Sequence, residues 1–310
     1  MLGHVAGRML QAAIVMLVMS ALVFVGVYAI GNPIDVLIGP DVSQDIRLET
    51  IARYGLDQPL WRQYFTFLGR ILHGDFGRSF VFGMPVLDLI LSRLPATLEL
   101  TLAAVLGASL IGIPAGIYAG YRPDGLAAKA IMTISILGFS VPTFWVGLVL
   151  VRFVALPTGW FPVSGFGATP SEHLRSVVLP AVSLSLALAP VIARSLRTSM
   201  VDVLESDYVM AARATGIGGW RLFRWYILRN SLSPAVSLLA VQVGFLLFGV
   251  VVLEVTFDIH GLGSELVTAA VGKDLLVTQG VTLVFAIAVV AVNIVADLLL
   301  VAIDPRVTAS

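Results

Sequence analysis

The sequence of 310 residues contains no cysteine and few charged residues. Without cysteine there is no disulfide, no thiolate nucleophile and no cysteine-ligated metal. Charged residues make up 12% of the chain and hydrophobic residues 58%, whereas a typical soluble domain carries about 25% charged residues. The 19 basic and 19 acidic residues balance, so the overall charge does not favour nucleic acid as a partner. These deficits predict an integral membrane protein.

Several enzyme motifs are also missing. The phosphate-binding P-loop, the dinucleotide-binding GxGxxG pattern and the HExxH zinc motif do not occur in the sequence. The histidines are scattered and form no cluster with serine, aspartate or glutamate at a workable spacing; they are His4, His73, His173 and His260. We therefore expect a chain that is not an enzyme and that binds no cofactor or metal itself. Any ATP hydrolysis coupled to it is expected on another chain.

Six apolar stretches are long enough to cross a bilayer, which takes about 20 mainly apolar residues as a helix. They cover residues 9–30, 94–120, 130–156, 177–195, 231–256 and 277–303. The first is too long for the core of a signal peptide, and we interpret it as a retained transmembrane helix. In the second, Gly107, Gly112 and Gly116 form a small-residue face that predicts close packing against another helix.

The loops between these stretches predict the orientation. The short loops on one side, including residues 121–129 and 196–230, carry an excess of arginine and lysine, which indicates the cytoplasmic side. Both termini then lie in the cytoplasm. We expect an all-α, polytopic membrane protein with six transmembrane helices, in which residues 1–310 form a single transmembrane domain.

The outer segment, residues 31–93, is too long for a simple connector. Part of it carries apolar residues at helical spacing, which predicts an amphipathic helix lying at the membrane surface. These residues are Leu60, Tyr64, Phe67, Leu68, Ile71 and Leu72.

The inner segment, residues 196–230, contains a short stretch, "DYVMAARAT", with the signals of a helix. Ser206 is placed to cap it, Asp207 suits the positive end of the helix dipole, and Gly216 suits the left-handed position that ends a helix. Isolated helices shorter than roughly 12–15 residues are marginal in water, so the flanking helices or a partner must hold this one. The small side chains that let a partner approach its backbone closely are Ala211, Ala212 and Ala214.

Aromatic residues and arginines follow this stretch in alternation. They are Trp220, Arg221, Phe223, Arg224, Trp225, Tyr226 and Arg229. The combination is typical of a segment that lies among lipid headgroups. Residue types alone leave two interpretations open, an ordinary positively charged loop with an aromatic belt or a docking element for another protein.

Several phrases, taken in order, resemble the permeases of bacterial ABC importers. "MAARATG" at 210–216 is similar to their cytoplasmic-loop motif, which begins Glu-Ala-Ala and has glycine six residues after the glutamate. Ala211, Ala212 and Gly216 match, while Met210 replaces the acidic residue. The dipeptide/oligopeptide/nickel branch, where the first position is often not acidic, is most similar. Further matches are "RLPATLEL", "SVPTFWVGL", "GWFPVSG", "LEVTFDIHGLGSEL" and "DLLLVAIDPRV". One departure is His260, where the family usually has proline.

The resemblance implies the type I ABC importer permease fold in the bacterial cytoplasmic membrane, as the first of two homologous permease subunits. The implied partners are the second permease subunit, one or two ABC ATPase subunits that bind ATP and Mg, membrane lipid, and an extracytoplasmic binding protein docking on residues 31–93 and 257–274. The implied substrates are dipeptides and oligopeptides, with nickel or glutathione as alternatives. The short inner helix would insert into a groove on an ATPase, and its implied coupling residues are Asp207, Tyr208, Met210, Ala211, Ala212, Ala214 and Gly216.

Apart from Arg194 at a membrane edge, four ionisable residues lie inside the predicted spans: Glu99, Arg152, Glu254 and Asp297. Such groups are costly in a membrane and are candidates for function. All four lie within about two turns of a predicted helix end, where a charged side chain can reach the membrane surface or a loop at little energetic cost. Glu254, and after it Glu99, are the candidates for the substrate pathway, because a carboxylate can bind the terminal ammonium of a peptide. Glu254 is also placed to brace the loop that follows it.

Two other kinds of transport protein fit the sequence less well. An ion-coupled secondary transporter normally has ionisable groups or unwound helices near the membrane midplane, and often an internal repeat. Here the middle of every predicted span is apolar, and the sequence shows no repeat. A channel would need a filter element, which nothing in the sequence resembles.

Overall fold

The computed structural model describes residues 2–30, 45, 48, 51, 57–79, 81–167 and 169–303. These residues are almost entirely helical. Within them, the extended backbone contributes one isolated bridge, between Arg78 and Pro85. The expected all-α fold is confirmed for this part of the chain.

The helices are numbered here in chain order. They are α1 (Leu2–Ile30), α2 (Leu60–Leu72), α3 (Val86–Tyr121), α4 (Leu126–Ser140), α5 (Thr143–Thr158), α6 (Pro170–Leu204), α7 (Asp207–Ala214), α8 (Gly219–Thr256), α9 (Leu262–Val271) and α10 (Leu275–Ile303). Both α5 and α8 contain a π-helical stretch, at Val151–Ala155 and Phe223–Leu228.

Four of these helices are long and apolar enough to cross a membrane, over Val86–Tyr121, Ser171–Leu204, Gly219–Thr256 and Leu275–Leu300. Shorter apolar helices cover Leu10–Gly26, Leu126–Ile136, Thr143–Thr158 and Leu262–Val271. The six-span count and the orientation therefore remain predictions.

Residues 130–156, expected as one spanning helix, form two helices separated by a break. The chain leaves helical geometry at Val141 (φ −91°, ψ 128°) and resumes it at Thr143, after Pro142. Proline lacks the N–H that a helix needs and disfavours helical backbone at the residue before it. The break therefore divides this stretch into α4 and α5.

The first of two compact units comprises residues 96–260 and the C-terminal part of α10. Here α3 packs closely on α6 through its glycines. A Cβ atom at Gly112 would lie 2.7 Å from the carbonyl oxygen of Ala189, and one at Gly116 would lie 2.9 Å from that of Ala193. The small-residue face on α3 is thus a helix-packing face, as predicted.

The second unit comprises residues 2–95 and 261–290. The amphipathic helix expected in the outer segment is present as α2, which packs on α1: the hydroxyls of Tyr64 and Ser20 are 2.9 Å apart, and the Tyr64 and Phe24 rings are 5.5 Å apart. The chain after α2 is hydrogen-bonded to the residue that precedes α10. The carboxylate of this residue, Asp274, accepts hydrogen bonds from the Ser79 hydroxyl (2.5 Å) and the Val81 N–H (3.1 Å). Of residues 31–56, all but 45, 48 and 51 lie outside the described residues.

Candidate functional site

The short helix α7 connects α6 to α8, and backbone hydrogen bonds fix its start. The N–H groups of Val209 and Met210 both donate to the Ser206 carbonyl, each at 3.1 Å. The Ser206 hydroxyl donates to the Val203 carbonyl at 2.6 Å, so the expectation that this side chain caps the helix is wrong. Asp207 lies in the first turn, where its charge suits the helix dipole.

The end of α7 is a complete Schellman motif built on Gly216. The N–H of Gly216 donates to the Arg213 carbonyl, and the N–H of Ile217 donates to the Ala212 carbonyl, both at 3.0 Å. Gly216 has φ +82°, as the sequence predicts. This left-handed geometry costs other residues about 1–2 kcal/mol, so glycine at this position stabilises the reversal.

One side of α7 is anchored in the protein's own core. Val209 is 0% exposed and Ala212 is also buried. They belong to a cluster with residues of α6 and α8, namely Leu196, Met200, Leu222, Ile227 and Ala235. Burying a valine side chain is worth about 1.5–3 kcal/mol. The flanking helices therefore hold α7.

The opposite side of α7, its outward face, is open. Tyr208 is 44% exposed and Met210 52% exposed. The other exposed residues on this side are Asp207, Ala211, Arg213 and Ala214, followed by Thr215 and Gly216 just after the helix. Of the sequence-predicted coupling residues, the structure places all but one on the outward face. The exception is Ala212, which points into the core and therefore anchors α7 instead of presenting a surface to a partner.

The start of α8 carries a charged aromatic cluster. The Trp220 and Phe223 rings are 5.2 Å apart, and Arg224 and Arg229 lie 5.4 and 6.0 Å from the ring of Trp225. Arginine over tryptophan is a favourable cation–π arrangement. The cluster spans the π-helical stretch of α8, a distortion that often accompanies functional sites.

Glu254 and Glu99, the candidates for the substrate pathway, do not come together. Glu254 is 0% exposed and accepts a hydrogen bond of 2.6 Å from the Thr97 hydroxyl. Glu99 is exposed, and two positions from Thr97 on a helix it lies about 200° around the axis. Glu254 also lies at the end of α8, where its carbonyl accepts from the Ile259 N–H at 2.8 Å. Its surroundings favour the bracing role; a contact of either glutamate with substrate stays an untested prediction.

A groove of about 450 Å³ beside α6 was not predicted from the sequence. It is bounded by Val191, Arg194, Ser195, Thr198, Ser199, Asp202, Pro234 and Leu238. The polar members recur at positions that share one face of a helix, which is the signal that would have revealed the groove.

Comparison with known families gives two matches. Residues 112–309 match the family described as binding-protein-dependent transport system inner membrane component. Residues 1–101 match the family of N-terminal regions of such membrane components.

Individual relatives match over nearly the whole chain. The oligopeptide transport system permease protein AppB of Bacillus subtilis (strain 168) is 35% identical over 314 residues, covering 99% of each chain. The glutathione transport system permease protein GsiC of Escherichia coli (strain K12) is 35% identical over 308 residues, again covering 99% of each. Among solved structures, the MetNI methionine ABC transporter in inward-facing conformations gives a TM-score of 0.57 at 19% identity, covering 69% of this chain and 96% of that chain. That likeness concerns the fold.

Proposed function

Because the chain belongs to the family of binding-protein-dependent transport system inner membrane components, we propose that it is the first of two homologous permease subunits in an ATP-driven importer of dipeptides and oligopeptides. As a permease of this family it is a multi-pass protein of the bacterial inner membrane. The proposal adds the substrate class, the place in the permease pair, and six spans with both termini in the cytoplasm. In this topology α4 and α5 together form one broken span.

The observation that carries the proposal is the two-sided structure of α7. Val209 and Ala212 pack on α6 and α8, while Tyr208 and Met210 on the other side are open. A helix built in this way transmits force, because a push on its outward face is carried by close-packed side chains to both long helices.

The proposed mechanism follows from that packing. The outward face of α7 inserts into a groove on an ATPase subunit, which supplies ATP and Mg. When two such subunits close on ATP, they move α7, and α7 moves α6 and α8 with it. The permease pair then changes from inward-facing to outward-facing, and a binding protein delivers substrate on the far side.

A second candidate substrate is glutathione, favoured by the equal identity to a glutathione permease protein. Glutathione is a tripeptide with free termini, so the same chemistry of recognition serves both. Nickel remains the alternative that the sequence resemblance offers.

The test is uptake by the reconstituted complex. The chain is purified with the proteins encoded beside it, placed in vesicles, and supplied with ATP and the binding protein. We expect binding-protein-dependent uptake of labelled dipeptides or tripeptides. Uptake of glutathione or nickel in preference to peptides would assign one of the alternatives. Uptake driven by an ion gradient without ATP would contradict the proposal.

A further inference from the structure

The groove beside α6 has a charged group of opposite sign at each end. Arg194 and Asp202 are both exposed, and Ser195, Thr198 and Ser199 lie between them along the same helix. Val191, Pro234 and Leu238 complete the lining with apolar surface. The groove therefore offers a cation, an anion and a row of hydroxyls over an apolar floor.

These polar side chains have no partner within the part of the chain that the structure describes: none of the five makes a hydrogen bond or an ion pair there. Hydroxyls elsewhere in the same helices behave differently. Ser185 donates to the Ala181 carbonyl at 2.7 Å, and Ser231 donates to the Ile227 carbonyl at 2.9 Å. The hydrogen-bond donors and acceptors of the groove are therefore available to a molecule outside this chain.

The position of the groove limits which kind of molecule can bind there. In the predicted orientation Arg194 lies at the cytoplasmic edge of the membrane, so the groove opens to the inner mouth of the permease. Acyl chains satisfy neither charges nor hydroxyls, whereas water or a polar solute satisfies both. A surface of this kind suits the lining of a pathway for polar molecules.

The distance between the two charged residues indicates the length of a matching ligand. Arg194 and Asp202 are eight positions apart, which separates their Cα atoms by about 12 Å along the helix. An extended peptide advances about 3.3–3.6 Å per residue, so three or four residues span this distance. The termini of a free peptide carry the complementary charges, and its backbone carries the donors and acceptors that hydroxyls bind.

We propose that this groove is an inner transit site for short peptides with free termini. The Arg194 guanidinium binds the terminal carboxylate, and the Asp202 carboxylate binds the terminal ammonium. The hydroxyls of Ser195, Thr198 and Ser199 bind backbone groups. The apolar floor accepts side chains without selecting among them. This inference rests on the proposed function and adds a binding site within this chain.

The test uses the natural absence of cysteine. Thr198→Cys places a single thiol on this chain in the groove, and a charged, water-soluble thiol reagent measures its accessibility in the assembled complex, without ATP or binding protein. Trialanine with free termini is the probe, and its C-amidated and N-acetylated forms each lack one terminal charge. The matched control substitutions are Arg122→Gln and Asp124→Asn, since both side chains are exposed and lie in a turn outside the groove.

We expect trialanine to slow the modification of Thr198→Cys. Adding Arg194→Gln should raise its half-protecting concentration roughly tenfold, the size of one lost charge-assisted hydrogen bond, and leave that of the amidated peptide unchanged. Asp202→Asn should act in the same way on trialanine and leave the acetylated peptide unchanged. The two control substitutions should change neither value.

Two results would overturn the site. In the first, trialanine leaves the thiol unprotected at every concentration. In the second, the thiol reacts only after the second permease subunit has dissociated, in which case the groove is a subunit interface. Both results leave the proposed function standing, because uptake is measured separately. A complex that protects the thiol but takes up no peptide would contradict the proposed function and keep the site.

Discussion

A Gly216→Val substitution should release the end of α7 while leaving the membrane helices in place. A Cβ atom at Gly216 meets no atom within 4 Å, so a side chain starts into open space there. The penalty is conformational, because φ is +82° and valine has to adopt a left-handed backbone. That geometry costs about 1–2 kcal/mol for an ordinary residue, and a β-branched residue is a marked outlier there.

The conformational penalty weakens the hydrogen bonds that end α7. If residue 216 returns to a right-handed or extended backbone, its N–H loses the Arg213 carbonyl, and the Ile217 N–H loses the Ala212 carbonyl. A helix of eight residues cannot form by itself. A penalty of one or two kcal/mol changes the ratio of ordered to disordered helix by a factor of about 5–30. We expect uptake to fall by up to that factor, and the ATPase to lose its response to substrate.

The assay compares this variant with Gly218→Val, which is nearly identical in chemistry. A Cβ atom at Gly218 also meets no atom within 4 Å, but the backbone there is extended (φ −139°, ψ −171°), a conformation that valine favours. Gly218→Val should transport like the unmodified protein, and both variants should insert equally well. Normal uptake in Gly216→Val, or an equal loss in both variants, would refute this reasoning.

Three further predictions test the supporting structure: two substitutions, each with a matched control, and one pH dependence. Glu254→Ala should lower the thermal stability of the purified complex, since it leaves the buried Thr97 hydroxyl without its acceptor at a cost of about 1–3 kcal/mol, whereas Glu254→Gln keeps an acceptor and should change little. Gly112→Ala should reduce stability by about 1–3 kcal/mol through overpacking, while Gly26→Ala, with nothing within 4 Å, should not. The hydrogen bond from Arg70 lowers the pKa of Asp75 below its ordinary 3.8. The stability this gives is present above pH 3.8 and is lost as the pH falls through the lowered pKa, so the protection of amide hydrogens in the turn after α2, relative to their intrinsic exchange, should fall only there.

Each of these has a result that contradicts it. Reduced uptake by the Glu254→Gln variant at unchanged thermal stability would favour contact with substrate over bracing. Equal stability of the Gly112→Ala and Gly26→Ala variants would contradict the close approach of α3 and α6. Unchanged protection of these amides across the acidic range would show that the Arg70–Asp75 pair does not hold its turn.

Local rules predicted the ends of α7 with partial success. The left-handed position of Gly216 follows from the chain itself, because glycine alone adopts it freely. The cap at Ser206 does not, because its hydroxyl is close enough to the last turn of α6 to bond there instead. Pro142 carried the signal for the break between α4 and α5, which the apolar composition of residues 130–156 obscured.

Contacts between distant residues were beyond local rules. The i, i+3 spacing of Val209 and Ala212 indicates one face of a helix, but which face turns inward depends on the apolar surfaces of α6 and α8. The burial of Glu254 depends on Thr97, 157 residues earlier in the chain. The polar face that lines the groove was visible in the spacing on α6, yet only the packing of α8 beside it makes that face a groove.

The central claim is that the outward face of α7 binds an ATPase, and site-directed cross-linking tests it most directly. Met210→Cys gives this cysteine-free chain one exposed thiol on that face, and Val209→Cys places a matched thiol one position away in the core. In the assembled complex, a short bifunctional reagent should join Met210→Cys to an ATPase subunit and leave Val209→Cys unjoined. The account is contradicted if Met210→Cys joins no ATPase while the complex still transports.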